Sequence, residues 1–509
     1  MIPAVTTATI DADITEATRP SGVPDIVRRR LATLPNWRDP YSWLVTLVVV
    51  VIGAILRFER LGERKGYIFD EVYYPTDAWD MLTHGVEWDP EHNAPGYVVH
   101  PPLGKWLIAL GELVFGNDEV GWRVSSAVAG TLMILILVRV AYRLFHSVVL
   151  AGAAGLLLAL DGFQLVLSRT SLLDIFLGLF VLAGFAALLL DRDHYRRRLL
   201  RDLEDGVTTR IVPWWLLVAG VLFGMACGVK WSALFFLPVF AALTLVWRWR
   251  ARRTADRTGL LADLGWGVLS VVLTVVTYLS TWAGWLLTDD GFYRHYRRDN
   301  GLSEPFVIGA LRNLWHYHHE AYTFHAGLTK PHTYQSWPWQ WLLLGRPVLF
   351  EYKNVGACGD TTCVRTILLL GTPLLWWSFL PALAALIWFG LARRDWRAWA
   401  ILAPVAAGYL PWFYYAAKDD RTMFSFYLLP AVPFLILAVV HVLGAIMTPP
   451  TGLEIGAART DRQIVGTVAV GAYVLLVAVC FAYFHPIFVN QVIEYDDWTS
   501  RMWLGNRWI

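Results

Sequence analysis

Long apolar runs, broken by short arginine-rich connections, dominate the chain. A hydrocarbon core about 30 Å thick needs ~20 apolar residues per helix. On that basis the runs predict about eleven transmembrane helices, near 42–57, 121–143, 148–163, 171–190, 213–228, 232–248, 262–287, 366–391, 398–416, 423–446 and 464–486. The predicted fold class is therefore an all-α polytopic membrane protein. A polar segment over 1–41 precedes the first run, two long polar segments cover 58–120 and 288–365, and a tail covers 487–509. The first run follows Arg28, Arg29 and Arg30 and has no small-residue cleavage site, so it reads as a retained anchor.

Positive charge sorts the connections into two sets. One alternate set carries Arg139 and Arg143, the Arg192–Arg201 cluster, the Arg248–Arg253 cluster, and Arg393, Arg394 and Arg397. The other carries only Arg169, Lys230, or Lys418 with Arg421. The positive-inside rule then puts the N-terminus in the cytoplasm and both long segments outside, and an odd number of spans puts the tail outside too. These segments are rich in Trp, Tyr, His and Asp, which argues for ordered, functional loops. Within the first, Leu103–Phe115 is apolar but too short to span, and predicts an interfacial helix with Lys105 and Trp106 at the headgroups.

Composition agrees with the membrane reading. Of 509 residues, 56% are hydrophobic and 17% charged, against roughly 45–50% and about 25% in soluble domains. The formal charge of +2 supplies no basic field for nucleic acid. Four cysteines are too few for a disulfide scaffold, and Cys227 and Cys480 lie in apolar runs. Cys358 and Cys363 share a polar stretch, where an oxidising compartment would join them and a reducing one would leave two thiols.

Candidate chemistry gathers on the outer side. Asp70 and Glu71 form an acidic pair among Tyr67, Phe69, Tyr73 and Tyr74. Apolar walls around such a pair raise proton affinity towards that of a general base, whereas a solvated acidic turn would leave it ordinary. Arg123, Arg169, Asp174 and Lys230 stand at outer ends of spans, where each must be paired, snorkel or face a polar cavity. Asp174 has Arg169 at helical spacing as a candidate partner, and Arg123 has lipid phosphates within reach. Cations and carboxylates together on one face suit a phosphate-bearing lipid. His100 leads a Pro-Pro helix entry and reads as a packed or capping residue; the histidines at 316, 318, 319, 325 and 332 lack the spacing of a metal site.

Seven motifs occur in order: Phe69-Asp70-Glu71; His100-Pro101-Pro102-Leu103-Gly104-Lys105; Trp122-Arg123; Leu167-Ser168-Arg169 with Leu172-Leu173-Asp174; Gly228-Val229-Lys230-Trp231; the run His332 to Trp339; and Phe424 to Pro430. Together they resemble the protein O-mannosyltransferases, membrane glycosyltransferases of the GT-C class. The resemblance implies transfer of mannose from a polyprenyl-phosphate-mannose lipid to Ser or Thr hydroxyls of polypeptides leaving the Sec translocon. It implies Asp70 as the base with Glu71 beside it, and Arg123 on the lipid phosphate with Lys105, Arg169 and Lys230 around it. His100, Asp174, Trp231, His332, Tyr334 and Arg421 follow as pocket or acceptor residues. No cofactor or metal is implied.

The second long segment is too short for the sugar-binding insertion of eukaryotic members, so the chain resembles the bacterial branch. Its excess of Arg over Lys and its many tryptophans suit an actinobacterium, and hence a plasma-membrane location. One rival reading is a GT-C enzyme that moves a lipid-linked sugar onto a glycolipid. Another is a transporter or scaffold, which would put charged residues deep in several spans and, for many transporters, repeated halves; the chain has few of the former and no internal repeat.

Overall fold

The computed structural model describes residues 22–33, 39–258, 260–359, 361–418, 420–447 and 457–508. Most of the segment expected over 1–41 lies outside them. Among the described residues, eight helices are long and apolar enough to cross a membrane: Pro40–Phe58, Glu119–Phe145, Asp174–Glu204, Trp231–Thr254, Leu261–Thr281, Pro373–Ala392, Ser425–Met447 and Asp461–Phe488. The protein is a multi-pass membrane protein. Two further expected spans are helices that fall short of that test, the 16-residue Trp214–Val229 and the twice proline-interrupted Trp396–Lys418.

Two expected spans need correction. The run at 148–163 is not one helix: Val148–Ala159 and Gly162–Ser168 meet at 62°. Asp161 causes the break. Its buried carboxylate caps the second helix through Gln164 N (3.2 Å) and accepts from Trp376 Nε1 (2.8 Å) and Thr372 N (3.2 Å). The run at 366–391 begins in a strand, because Thr361–Leu369 pairs antiparallel with Val348–Cys358. Ile367, Leu368 and Leu369 are apolar because they pack on the helical core.

The central pair of helices, Asp174–Glu204 and Ser425–Met447, is buried along most of its length, and the others pack around it. At one end of the bundle, Asp25–Leu31 buries Leu31 against Tyr195, Leu199 and Ala251, among the arginine-rich connections. At the other end lie both long segments. The first forms the turn Phe69–Val72, the helix Tyr74–His84, a short hairpin and the helix Leu103–Phe115. The second forms the helix Ile308–Ala326 and the long hairpin, whose far end Cys358 and Cys363 join as a disulfide. Ile493–Glu494, in the tail, adds a third strand beside Thr361–Leu369.

Candidate functional site

The site starts with a strained residue. Phe69 has φ 51°, a left-handed backbone that a bulky side chain adopts at a cost of about 1–3 kcal/mol. Aromatic packing holds it there: its ring stacks on Phe350 (4.8 Å) and meets Phe424, Phe426 and His332 edge-on at 6.0–6.1 Å. The bend directs the next two carboxylates to opposite duties.

Glu71 points inward and is fully bonded. Its carboxylate accepts from Ile68 N (2.9 Å), Ser171 N (2.9 Å), Arg123 Nε (2.9 Å) and Arg123 Nη2 (2.7 Å). Arg123 spends further donors on the carbonyls of Arg64 (2.7 Å) and Gly66 (2.9 Å). The two side chains are 0% and 1% exposed. Glu71 thus fastens the acidic turn to the Glu119–Phe145 helix and to the break before Asp174, and Arg123 stands as its counter-ion.

Asp70 has the contrasting environment. It is half-buried, and among the described residues nothing hydrogen-bonds to its carboxylate. Burial pushes it up to about 6; Lys230 opposes the rise and Asp174 adds to it. Lys230, 7% exposed, donates to Asp174 Oδ2 (2.7 Å) and lies 5.6–5.7 Å from the rings of Tyr427 and Phe426. Arg421 faces the same Tyr427 ring at 5.8 Å with its Nε buried and unbonded.

Two histidines close this side. His100 lies 5.0 Å from His325 and 6.2 Å from Tyr74, ring to ring. Burial and then Lys230 hold His100 well below the ordinary imidazole range, and burial lowers His325 to about 4, so both rings are neutral at pH 7. His325 Nε2 donates to Val99 O (2.9 Å), leaving Nδ1 buried without a partner. In the sequence His325 is one of several histidines without metal-site spacing. The available signal was its seven-residue spacing from His318, which puts both on one helix face beside Trp231.

Other expected residues lie elsewhere. Lys105 is not at the headgroups: it is 1% exposed and pairs with Glu87 and, at 3.7 Å, with Asp77. Asp174 pairs with Lys230, not with Arg169. Arg169 caps a helix instead, donating to the carbonyls of Leu56, Arg57 and Glu59 at 2.8–3.0 Å. Trp231 Nε1 donates to Tyr278 (3.1 Å). His332 is exposed above Phe69, and Tyr334 lies under Arg346 (5.4 Å). The structure therefore gathers Asp70, His100, Asp174, Lys230 and Arg421, and gives Arg123, Lys105 and Arg169 partners within the fold.

Residues 47–287 match the family described as dolichyl-phosphate-mannose-protein mannosyltransferase, and residues 310–508 match the C-terminal four-transmembrane region of protein O-mannosyltransferase. A polyprenol-phosphate-mannose–protein mannosyltransferase of Mycolicibacterium smegmatis is 38% identical over 489 residues, covering 91% of this chain and 92% of its own. One from Corynebacterium glutamicum is 34% identical over 505 residues, covering 91% and 93%. The Saccharomyces cerevisiae Pmt1–Pmt2 complex bound to the sugar donor superposes with a TM-score of 0.68 at 16% identity, over 91% of this chain and 92% of that one. The fold is that of the GT-C membrane glycosyltransferases, and the chain belongs to the protein O-mannosyltransferase family.

Proposed function

We propose that this chain transfers mannose from polyprenyl-phosphate-mannose to Ser or Thr hydroxyls of polypeptides, with Asp70 as the general base. The observation that carries the assignment is the contrast between the two carboxylates. Glu71 is saturated by Arg123 and two backbone N–H groups, whereas Asp70 is unbonded and raised to about 6 beside Lys230. The acceptor oxygen attacks the anomeric carbon as Asp70 takes its proton, and the lipid phosphate leaves from the opposite face with its electron pair, inverting the configuration. Lys230 and Arg421 supply charge to the departing phosphate, and a phosphate leaving group needs no strong acid. Arg123 then acts as the positioning residue for the acidic turn, in place of a direct phosphate ligand. The reaction as drawn calls on no metal or cofactor.

The arginine-rich end of the bundle is opposite the Asp70 end: Arg139 and Arg143 close the helix that Arg123 opens. We read the first end as cytoplasmic, with the N-terminus, and the second as the outer face of the bacterial plasma membrane, where acceptors emerge from the Sec translocon. The segments 58–120 and 288–365 belong to that outer face, as does the tail over 487–509. The test uses purified protein, polyprenyl-phosphate-[radiolabelled mannose] and a Thr/Pro-rich peptide. Label should reach peptide with wild type and not with Asp70→Asn. Label appearing instead in added glycolipid would replace the acceptor, and undiminished transfer by Asp70→Asn would remove the base.

A further inference from the structure

On the other side of the acidic turn lies a cavity of about 490 Å³ that Ile68 and Arg123 line and Asp70 does not. Four more arginines reach it: Arg60, Arg64, Arg169 and Arg365, against the carboxylates of Glu59 and Glu63. Their partnering differs. Arg60 pairs with Glu63, Arg64 with Glu351, and Arg123 with Glu71. Arg169 meets only main-chain carbonyls, and Arg365 forms no hydrogen bond or ion pair among the described residues, with its Nε buried. A buried, unpartnered guanidinium donor is costly, and a strand holds this one at the cavity wall.

Thr170, His485, Asn490 and Gln491 add polar groups to the lining, and its apolar part includes helix ends: Leu56 near the end of Pro40–Phe58, Val166 on Gly162–Ser168, and Phe488 and Val489 at the close of the last helix. Arginines beside aliphatic and aromatic groups, at the ends of the first and last membrane helices, match the junction of a phosphate with its hydrocarbon. We infer that this cavity is a second phosphate site, separate from the one beside Asp70, in which Arg169 and Arg365 hold the phosphate of an anionic lipid headgroup or a free phosphate ion. The site does not depend on which sugar or acceptor the Asp70 side uses.

The test measures binding to the full chain in detergent by native mass spectrometry, with dioleoylphosphatidylglycerol in one arm and inorganic phosphate in the other. Arg365→Gln removes the unpartnered charge, and Asn490→Asp supplies a carboxylate to the same lining. Each should weaken binding about tenfold, the scale of one charge-assisted pair. Arg365→Lys should recover part of the loss. Loss confined to the lipid arm supports a headgroup site, and loss in the phosphate arm supports a free-ion site. Equal binding of both probes by wild type, Arg365→Gln and Asn490→Asp would overturn the inference, and native charge-state distributions report whether each variant is folded.

Discussion

A carboxylate that takes a proton from a hydroxyl must be ionised at the working pH and still basic enough to hold what it takes. Asp70 meets both demands through its surroundings: burial raises it to about 6, and Lys230 keeps the rise from going further. The rate on the free enzyme, kcat/KM, should therefore fall on the acid side with a limb near pH 6; a flat profile down to pH 4.5 would exclude Asp70 as base. The same shift costs stability. The folded state keeps a proton that the unfolded chain releases from its ordinary value of 3.8, so the cost is absent below about pH 4 and complete above about pH 6. Asp70→Asn should then be inactive yet more stable at pH 7.5, by on the order of 2–3 kcal/mol. That gain should vanish towards pH 4 in melting experiments in detergent. An inactive variant that is also less stable at pH 7.5 would point to lost structure. The sequence makes the acidic pair visible, and the family resemblance names Asp70 as the base, but neither supplies the physical cause of the division. The division rests on Arg123, fifty-two residues from Glu71, and on Ser171 N, a hundred residues away, which no local pattern reports.

At the scale of elements, the length of apolar runs locates most of the spans because lipid leaves helices few alternatives. It failed where another device hid inside an apolar run: Asp161 capping a second helix, and a hairpin strand whose inward side chains are as apolar as a span. The helix Leu103–Phe115 is legible by length, but the burial of Lys105 is not, because its partners Asp77 and Glu87 come from a fold of the loop that only the tertiary structure supplies. That helix also sets the site through its close approach to Glu119–Phe145. A Cβ on Gly121 would sit 1.8 Å from Gly116 O, and one on Gly111 would sit 2.3 Å from Gly121 O. Both obstacles are main chain and cannot rotate away. Gly121→Ala should splay the two helices and shift Arg123, two residues on, away from Glu71. The expected result is a loss of folded, monodisperse protein on size exclusion, beyond the roughly 1–3 kcal/mol of ordinary overpacking. Normal yield and activity would mean that the junction is looser than drawn.

For the whole molecule, charge and chemistry are segregated along one axis, and this makes orientation testable without any substrate. The ends that carry Arg143, Arg201 and Arg253 gather where Asp25–Leu31 packs, and the Asp70 end holds both long segments. The positive-inside rule predicts that the carboxylate faces out. Native cysteines give a quiet background for a membrane-impermeant maleimide: Cys227 is buried, Cys480 lies in the last span, and Cys358 and Cys363 are bonded to each other. His92→Cys, on an exposed turn of the first long segment, should label in intact cells. Gly206→Cys, exposed in the connection after Asp174–Glu204, should label only after permeabilisation. Neither substitution touches the acidic turn, so retained transfer activity would show that the labelled protein is native. The reverse labelling pattern would place Asp70 in the cytoplasm and separate it from secreted acceptors, whatever its proton affinity.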